Sequence, residues 1–118
     1  MSTTPEQLRS RTKEFALRIV RLFRSLPRSP EAQVIGKQLL RSGTSVGANY
    51  RAACRARSKA EFVAKLGVVV EEADESAFWL ELLVETGTFK REKVEGLLNE
   101  AHELTALFNA SRSTMKRS

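Results

Sequence analysis

Cysteine and histidine are almost missing from this sequence. Cys54 stands alone among 118 residues, so no disulfide can form within the chain, and a reduced, cytoplasmic setting is expected. His102 is the only histidine, which excludes any site that needs two imidazoles. A carboxylate-bridged di-iron bundle requires two Glu-x-x-His pairs, and here Asn99 occupies the position that the glutamate would need. Helical ribonucleases that set an arginine a few residues before a histidine are excluded too, because Glu95 to Ala101 contains no arginine. A pairing of Cys54 with His102 remains formally open, although a lone small thiol in a glycine-rich stretch reads as packing. Catalysis therefore has no constellation to carry it, and neither a cofactor nor a metal is expected.

Proline and glycine are also scarce, at three and six residues, which leaves long uninterrupted stretches of Ala, Leu, Glu, Lys and Arg. Such composition favours helices, and no alternating strand pattern or internal repeat competes. No apolar run approaches the roughly 20 residues of a membrane span. The first residues, Met-Ser-Thr-Thr-Pro, lack the cationic and then apolar order of a secretion signal. With 42% hydrophobic and 29% charged residues, the chain has enough apolar surface for one core.

Helix punctuation is clear. Thr4-Pro5-Glu6-Gln7 has the form of a capping box with proline in the first turn, and Leu8, Phe15, Ile19, Leu22, Phe23 and Leu26 follow at helical spacing. Ser29-Pro30-Glu31 opens a second helix, and Ser58-Lys-Ala-Glu61 a third. Gly87 ends the third, and Thr88 can cap a fourth with the stripe Val94, Leu97, Leu98, Ala101, Leu104 and Phe108. The expected fold is an all-α, up-down-up-down antiparallel four-helix bundle, one domain over 1–118, with helices near 5–26, 30–57, 59–86 and 89–113.

Gly43-Thr-Ser-Val-Gly47 interrupts the second of these helices and raises the question of a phosphate loop. The spacing is wrong for one, Ala48 follows the second glycine, and no strand precedes. Ile35, Leu39, Val46, Tyr50 and Ala53 keep one face through the stretch, so a continuous helix is expected, with Gly36, Gly43 and Gly47 as a thin seam for close helix packing. A kink there is the alternative, since each mid-helix glycine costs about 1 kcal/mol against alanine. Ser42 and Asn49 fall on the core side, where bonding to backbone or to a neighbouring helix is expected.

Two surfaces stand out. On the third helix, Phe62, Leu66, Val69, Val70, Ala73, Ala77, Leu80 and Val84 form the core side, while Phe78 and Leu82 fall opposite, with Trp79 and Leu83 on a flank. A helix apolar on both sides needs a second partner, so Phe78, Trp79, Leu82 and Leu83 form a candidate oligomer interface. The second surface is cationic, in keeping with the net charge of +6. Lys37, Arg41, Arg51 and Arg55 share the outward side of the second helix. Arg11, Arg18 and Arg21 flank the stripe of the first on one side, with Arg9, Lys13 and Arg24 on the other. The candidate nucleic-acid or partner contacts are Arg11, Arg18, Arg21, Lys37, Arg41, Arg51 and Arg55. Solvated flanks salt-bridged to the acidic third helix are the plainer reading of the same residues.

Several motifs resemble a known family. Arg41-Ser-Gly-Thr-Ser-Val-Gly-Ala-Asn49, Ser58-Lys-Ala-Glu-Phe62, Glu71-Glu-Ala-Asp-Glu75 and Phe78-Trp-Leu-Glu-Leu-Leu83 are similar to those of bacterial four-helix-bundle proteins related to products of 23S ribosomal RNA intervening sequences. Glu100-Ala-His-Glu-Leu104 and Ala110-Ser-Arg-Ser113 fit the same pattern. The resemblance implies a homopentamer of bundles. It also implies kinship with the accessory protein of diversity-generating retroelements, a basic pentamer that works with a reverse transcriptase and nucleic acid. Tyr50-Arg-Ala-Ala-Cys-Arg-Ala-Arg57 departs from that pattern, because many relatives carry acidic residues there. The expected function is accordingly a non-enzymatic oligomer that binds RNA or DNA backbones, or a nucleic-acid enzyme, through basic faces. The alternative is a scaffold whose arginines meet acidic protein surfaces.

Overall fold

The computed structural model describes residues 3–118. Four helices follow in order: α1 (Pro5–Arg24), α2 (Pro30–Ala53), α3 (Lys59–Glu85) and α4 (Arg91–Arg117). Each packs chiefly on its neighbours in sequence, and α1 and α4, the remaining pair in contact, meet far less closely. The result is an all-α four-helix bundle, a rod measuring 47 × 25 × 20 Å.

The helix starts show how far each cap reaches. Thr4 completes the capping box: its hydroxyl accepts from the Gln7 N–H at 3.1 Å, and Gln7 Oε1 accepts from the Thr4 N–H at 2.9 Å. Ser58 Oγ accepts from the Glu61 N–H at 3.1 Å, but Glu61 turns its carboxylate to the Arg57 N–H instead of closing a box. Ser29 precedes Pro30 as N-cap without a side-chain bond. Thr88 does not cap α4; its hydroxyl lies 2.9 Å from that of Thr86, and Lys90 takes the N-cap position. Gly87 leaves α3 at φ 76, a left-handed conformation that glycine adopts without a Cβ penalty. Helix α2 stops at Ala53 rather than reaching 57, α1 stops at Arg24, and α4 continues beyond 113.

Helix α2 passes unbroken through the glycine stretch. The reason lies on α1. A Cβ on Gly43 would sit 2.7 Å from Ile19 Cγ1, and one on Gly47 would sit 3.3 Å from the Thr12 carbonyl carbon and oxygen. The seam faces a neighbouring helix, and the glycines set how closely the two backbones approach. Thr12, fully buried in this contact, gives its hydroxyl proton to the Leu8 carbonyl at 2.8 Å.

The core takes Phe15 and Ile19 from α1, Leu39 and Val46 from α2, Leu66, Val69 and Leu80 from α3, and Val94, Leu104 and Phe108 from α4. Tyr50 stacks at a tilt on Phe108, with ring centroids 4.9 Å apart. Burial, helped by a hydrogen bond with Cys54, pushes its phenol well above the ordinary value. One polar pair crosses this core. Ser42 Oγ and Ser76 Oγ are both fully buried and lie 2.9 Å apart, and Ser76 Oγ lies 2.8 Å from the Glu72 carbonyl. With one proton each, both contacts are satisfied when Ser42 donates to Ser76 and Ser76 donates to the carbonyl. Asn49 bonds the Ser45 carbonyl at 2.9 Å. Both core-side polar residues of α2 are therefore paired, Asn49 within its own helix and Ser42 across to α3.

The glycines should differ in their tolerance of alanine. At Gly43 the obstacle is β-branched Ile19, with its Cβ at 3.2 Å, and it cannot swing aside. Gly43→Ala should therefore lose up to about 2 kcal/mol of stability, an overpacking cost of about 1–3 kcal/mol less about 1 kcal/mol of helix propensity. At Gly36 the nearest atom is Leu26 Cδ1, the far end of a flexible chain. Gly36→Ala should be neutral or gain up to about 1 kcal/mol from helix propensity. Urea unfolding followed by circular dichroism measures both.

Candidate nucleic-acid interface

The cations of the chain fall into two groups, those tied to carboxylates and those left to solvent. Arg11 belongs to the first. Its Nε and Nη2 reach the two carboxylate oxygens of Glu100 at 2.7 and 2.8 Å, and Nη2 also reaches Glu103 at 2.9 Å. This forked pair joins α1 to α4, the least closely packed of the helix pairs in contact. The hydrogen bond to Glu100 is the main reason the Arg11 guanidinium is held even more firmly protonated than usual. Arg41 is also spent, bridging from α2 to Glu72 at 3.2 Å and to Glu75 on α3. Arg21 makes only a loose exposed contact with Glu14 at 3.5 Å. Arg18 lies over α4, its Nη2 3.1 Å from where a Cβ on Gly96 would be. Two of the sequence-derived contact residues, Arg11 and Arg41, are thus structural ties between helices.

Arg51 and Arg55 have a different setting. They form one wall of a groove of about 640 Å³ between α1 and α2, and Arg9 and Lys13 stand on the other wall. Ser10, Ala16, Thr44, Gly47, Ala48 and Cys54 complete the lining, which contains no carboxylate and no aromatic ring. Among the described residues none of these four cations has an ion-pair partner. The groove lies where the helices meet at Gly47 and Thr12, with Gly47 in its lining. Arg9 and Lys13 lie on the flank of α1 that the sequence alone does not single out; the i, i+4 spacing of each pair is visible there, but not which flank faces α2. Lys37 is exposed further along α2, away from this groove.

The fold also gathers charge at one end. Divided at the helix midpoints, the end formed by 3–14, 42–72 and 104–118 carries eleven Lys and Arg against five Asp and Glu. The opposite end carries nine against nine, so the net positive charge sits where the groove opens.

The apolar residues of α3 also divide. Leu83 is fully buried within the bundle and offers nothing to a partner, which corrects its assignment to an oligomer interface. Because α3 is sandwiched between α2 and α4, its inward arc is wider than one neighbour would need, and Leu83 fills the added part. Ser76 joins the same arc. Trp79 is half-buried and donates to Glu75 Oε2 at 2.9 Å, and Leu82 is partly covered. Phe78 remains 50% exposed, edge-on to Trp79 with centroids 4.9 Å apart. His102 is exposed on α4.

If Arg11 is a tie and not a ligand contact, Arg11→Ala should cost about 1–2 kcal/mol, between an exposed and a buried pair, since Glu100 is left half-buried and alone. Thermal unfolding measures that loss. Affinity for nucleic acid at a temperature where the variant is folded should stay unchanged.

Comparison with known proteins places this geometry. No curated protein sequence matches the chain. A solved structure from Bacteroides thetaiotaomicron, a protein of unknown function from the S23 ribosomal protein family, superposes with a TM-score of 0.85 at 39% identity. The match covers 92% of this chain and 97% of that one. Residues 7–110 match the family model described as 23S rRNA-intervening sequence protein. That span takes in all of α2 and α3 and most of α1 and α4, so the chain belongs to the 23S rRNA-intervening sequence protein family.

Proposed function

We propose that this bundle is a non-enzymatic binding module that takes the phosphate backbone of RNA or DNA in the α1–α2 groove. The observation that carries this reading is the groove's composition: Arg9, Lys13, Arg51 and Arg55 converge there with no carboxylate in the lining. Arg11 and Arg41 are tied to carboxylates of neighbouring helices, whereas these four cations share one groove whose lining holds none. Uncompensated like charges held close together destabilise a fold and gain from a polyanion that releases counterions on binding. The membership of the chain in its family adds context, since the family is named for ribosomal RNA intervening sequences.

Self-association belongs to the same reading. The exposed Phe78, with Leu82 beside it on α3, supplies the apolar contact for a second copy, and the family resemblance favours a homopentamer. A ring would repeat the groove and let one nucleic acid meet several copies, raising avidity. A nucleic-acid enzyme such as a reverse transcriptase is the protein partner this arrangement would serve.

Fluorescence anisotropy with RNA and DNA at rising salt tests the reading. Arg51→Ala with Arg55→Ala should weaken binding to every sequence alike and flatten the salt slope by about one unit for each phosphate no longer held. Arg41→Ala should leave the slope unchanged. If nucleic acids bind no better than polyglutamate of equal charge, the groove serves an acidic protein and the reading fails. Light scattering checks assembly: Phe78→Glu should lower the mass of the particle, and a wild-type monomer at micromolar concentration would contradict the self-association.

A further inference from the structure

We infer that the α1–α2 groove holds a single nucleic-acid strand with its sugar–phosphate backbone inward and its bases outward. This rests on the nucleic-acid reading above and specifies which part of the ligand the groove recognises.

Register comes first. Gly47 lies against Thr12, and the two helices run antiparallel, so each step forward along α2 is a step back along α1. Arg51 therefore stands level with Arg9, Arg55 lies beyond it in the turn that follows α2, and Lys13 stands about one turn the other way. Lys13 and Arg9, four residues apart on α1 at a rise of about 1.5 Å each, stand roughly 6 Å apart, and Arg55 adds a third level past the end of α2. A chain of phosphates laid along the groove meets a cation at each level.

Shape decides between one strand and two. Helices in contact at a glycine lie at the near end of the usual interaxial range of about 8–10 Å. The groove above them is a narrow concave trough of about 640 Å³ with cations on both walls. A duplex is convex, and its strands flank grooves about 6 and 12 Å wide. It would rest on the rim and reach the outer cations only. One strand can enter and turn successive phosphates to alternate walls.

The lining then fixes orientation. Proteins that hold single strands by their bases stack them on aromatic side chains. None lines this groove, and the two adjacent to it in sequence, Phe15 and Tyr50, are buried in the core. The floor is made of Ala16, Gly47 and Ala48, which leave depth for a sugar but give a base no flat partner. Ser10 has no hydrogen-bond partner among the described residues and is free to donate to phosphate. Thr44 gives its proton to the Leu40 carbonyl at 2.7 Å and is left as an acceptor.

The test uses the full chain and three probes in fluorescence anisotropy: a six-nucleotide thymidine strand, its abasic counterpart with the same phosphates, and a duplex of equal phosphate number. The abasic strand should bind within about twofold of the thymidine strand. The slope of log affinity against log salt should be about −2, from three phosphates at roughly −0.7 each. Arg9→Gln with Arg51→Gln, checked for native circular dichroism, should weaken both strands to the same degree. A 2-aminopurine reporter in the strand should keep its free-state fluorescence. An abasic strand more than about tenfold weaker, or a duplex that binds tighter than the single strand, would overturn this inference while leaving nucleic-acid binding intact. If all three probes bind no better than polyglutamate, the nucleic-acid reading falls and this inference with it.

Discussion

The close approach of α1 and α2 governs the rest of the molecule. Two glycines on α2 remove the side chains that would hold the helices apart, and Ile19 and Thr12 fill the space. That contact costs helix propensity, about 1 kcal/mol per glycine. The packing of Ile19, fully buried, offsets it. Where the backbones meet, the surfaces of two cylindrical helices leave a trough on their outer side, and Gly47 lies in its lining. A larger residue at Gly43 or Gly47 would alter both the packing and the groove, so stability and ligand geometry share one origin.

Charge is distributed by the same logic of neighbours. Arg11 and Arg41 each point toward a helix that carries glutamates, Glu100 and Glu103 on α4 or Glu72 and Glu75 on α3. They hold helix pairs together, and α1–α4 has little else to hold it. Arg9, Lys13, Arg51 and Arg55 face each other across α1 and α2, and neither helix has a carboxylate in the groove. The acidic character of α3 cannot reach them, because α3 lies on the other side of α2, where Ser42 meets Ser76. A protein with net charge +6 thus keeps its positive surplus at one end of the rod and in one trough.

Much of this was legible in the residue order. Helix count, the buried stripe of α4, and the unbroken passage of α2 through its glycines all follow from periodicity, and the Thr4 box from local chemistry. What was not legible depends on which neighbour a flank meets. A helical wheel places Arg41 and Arg51 on one outward side, but about 80° separates them, and that is enough to send one toward α3 and the other toward α1. Leu83 reads as a flank residue, yet it lies one heptad beyond Ser76 and is fully buried in the bundle. Thr12 and Ser76 look polar in sequence and are fully buried, since each gives its proton to a carbonyl four residues back in its own helix.

The central claim is that ligand binding is localised to the trough created by the glycine contact. Amide chemical-shift mapping on the isotopically labelled chain, titrated with a short thymidine strand, tests it most directly. Shifts should concentrate in residues 9–16 of α1 and in residues 44–55, the end of α2 and the turn after it, with α3 nearly silent. Shifts centred instead on Arg18, Arg21 and Lys37, or spread evenly over all four helices, would contradict it.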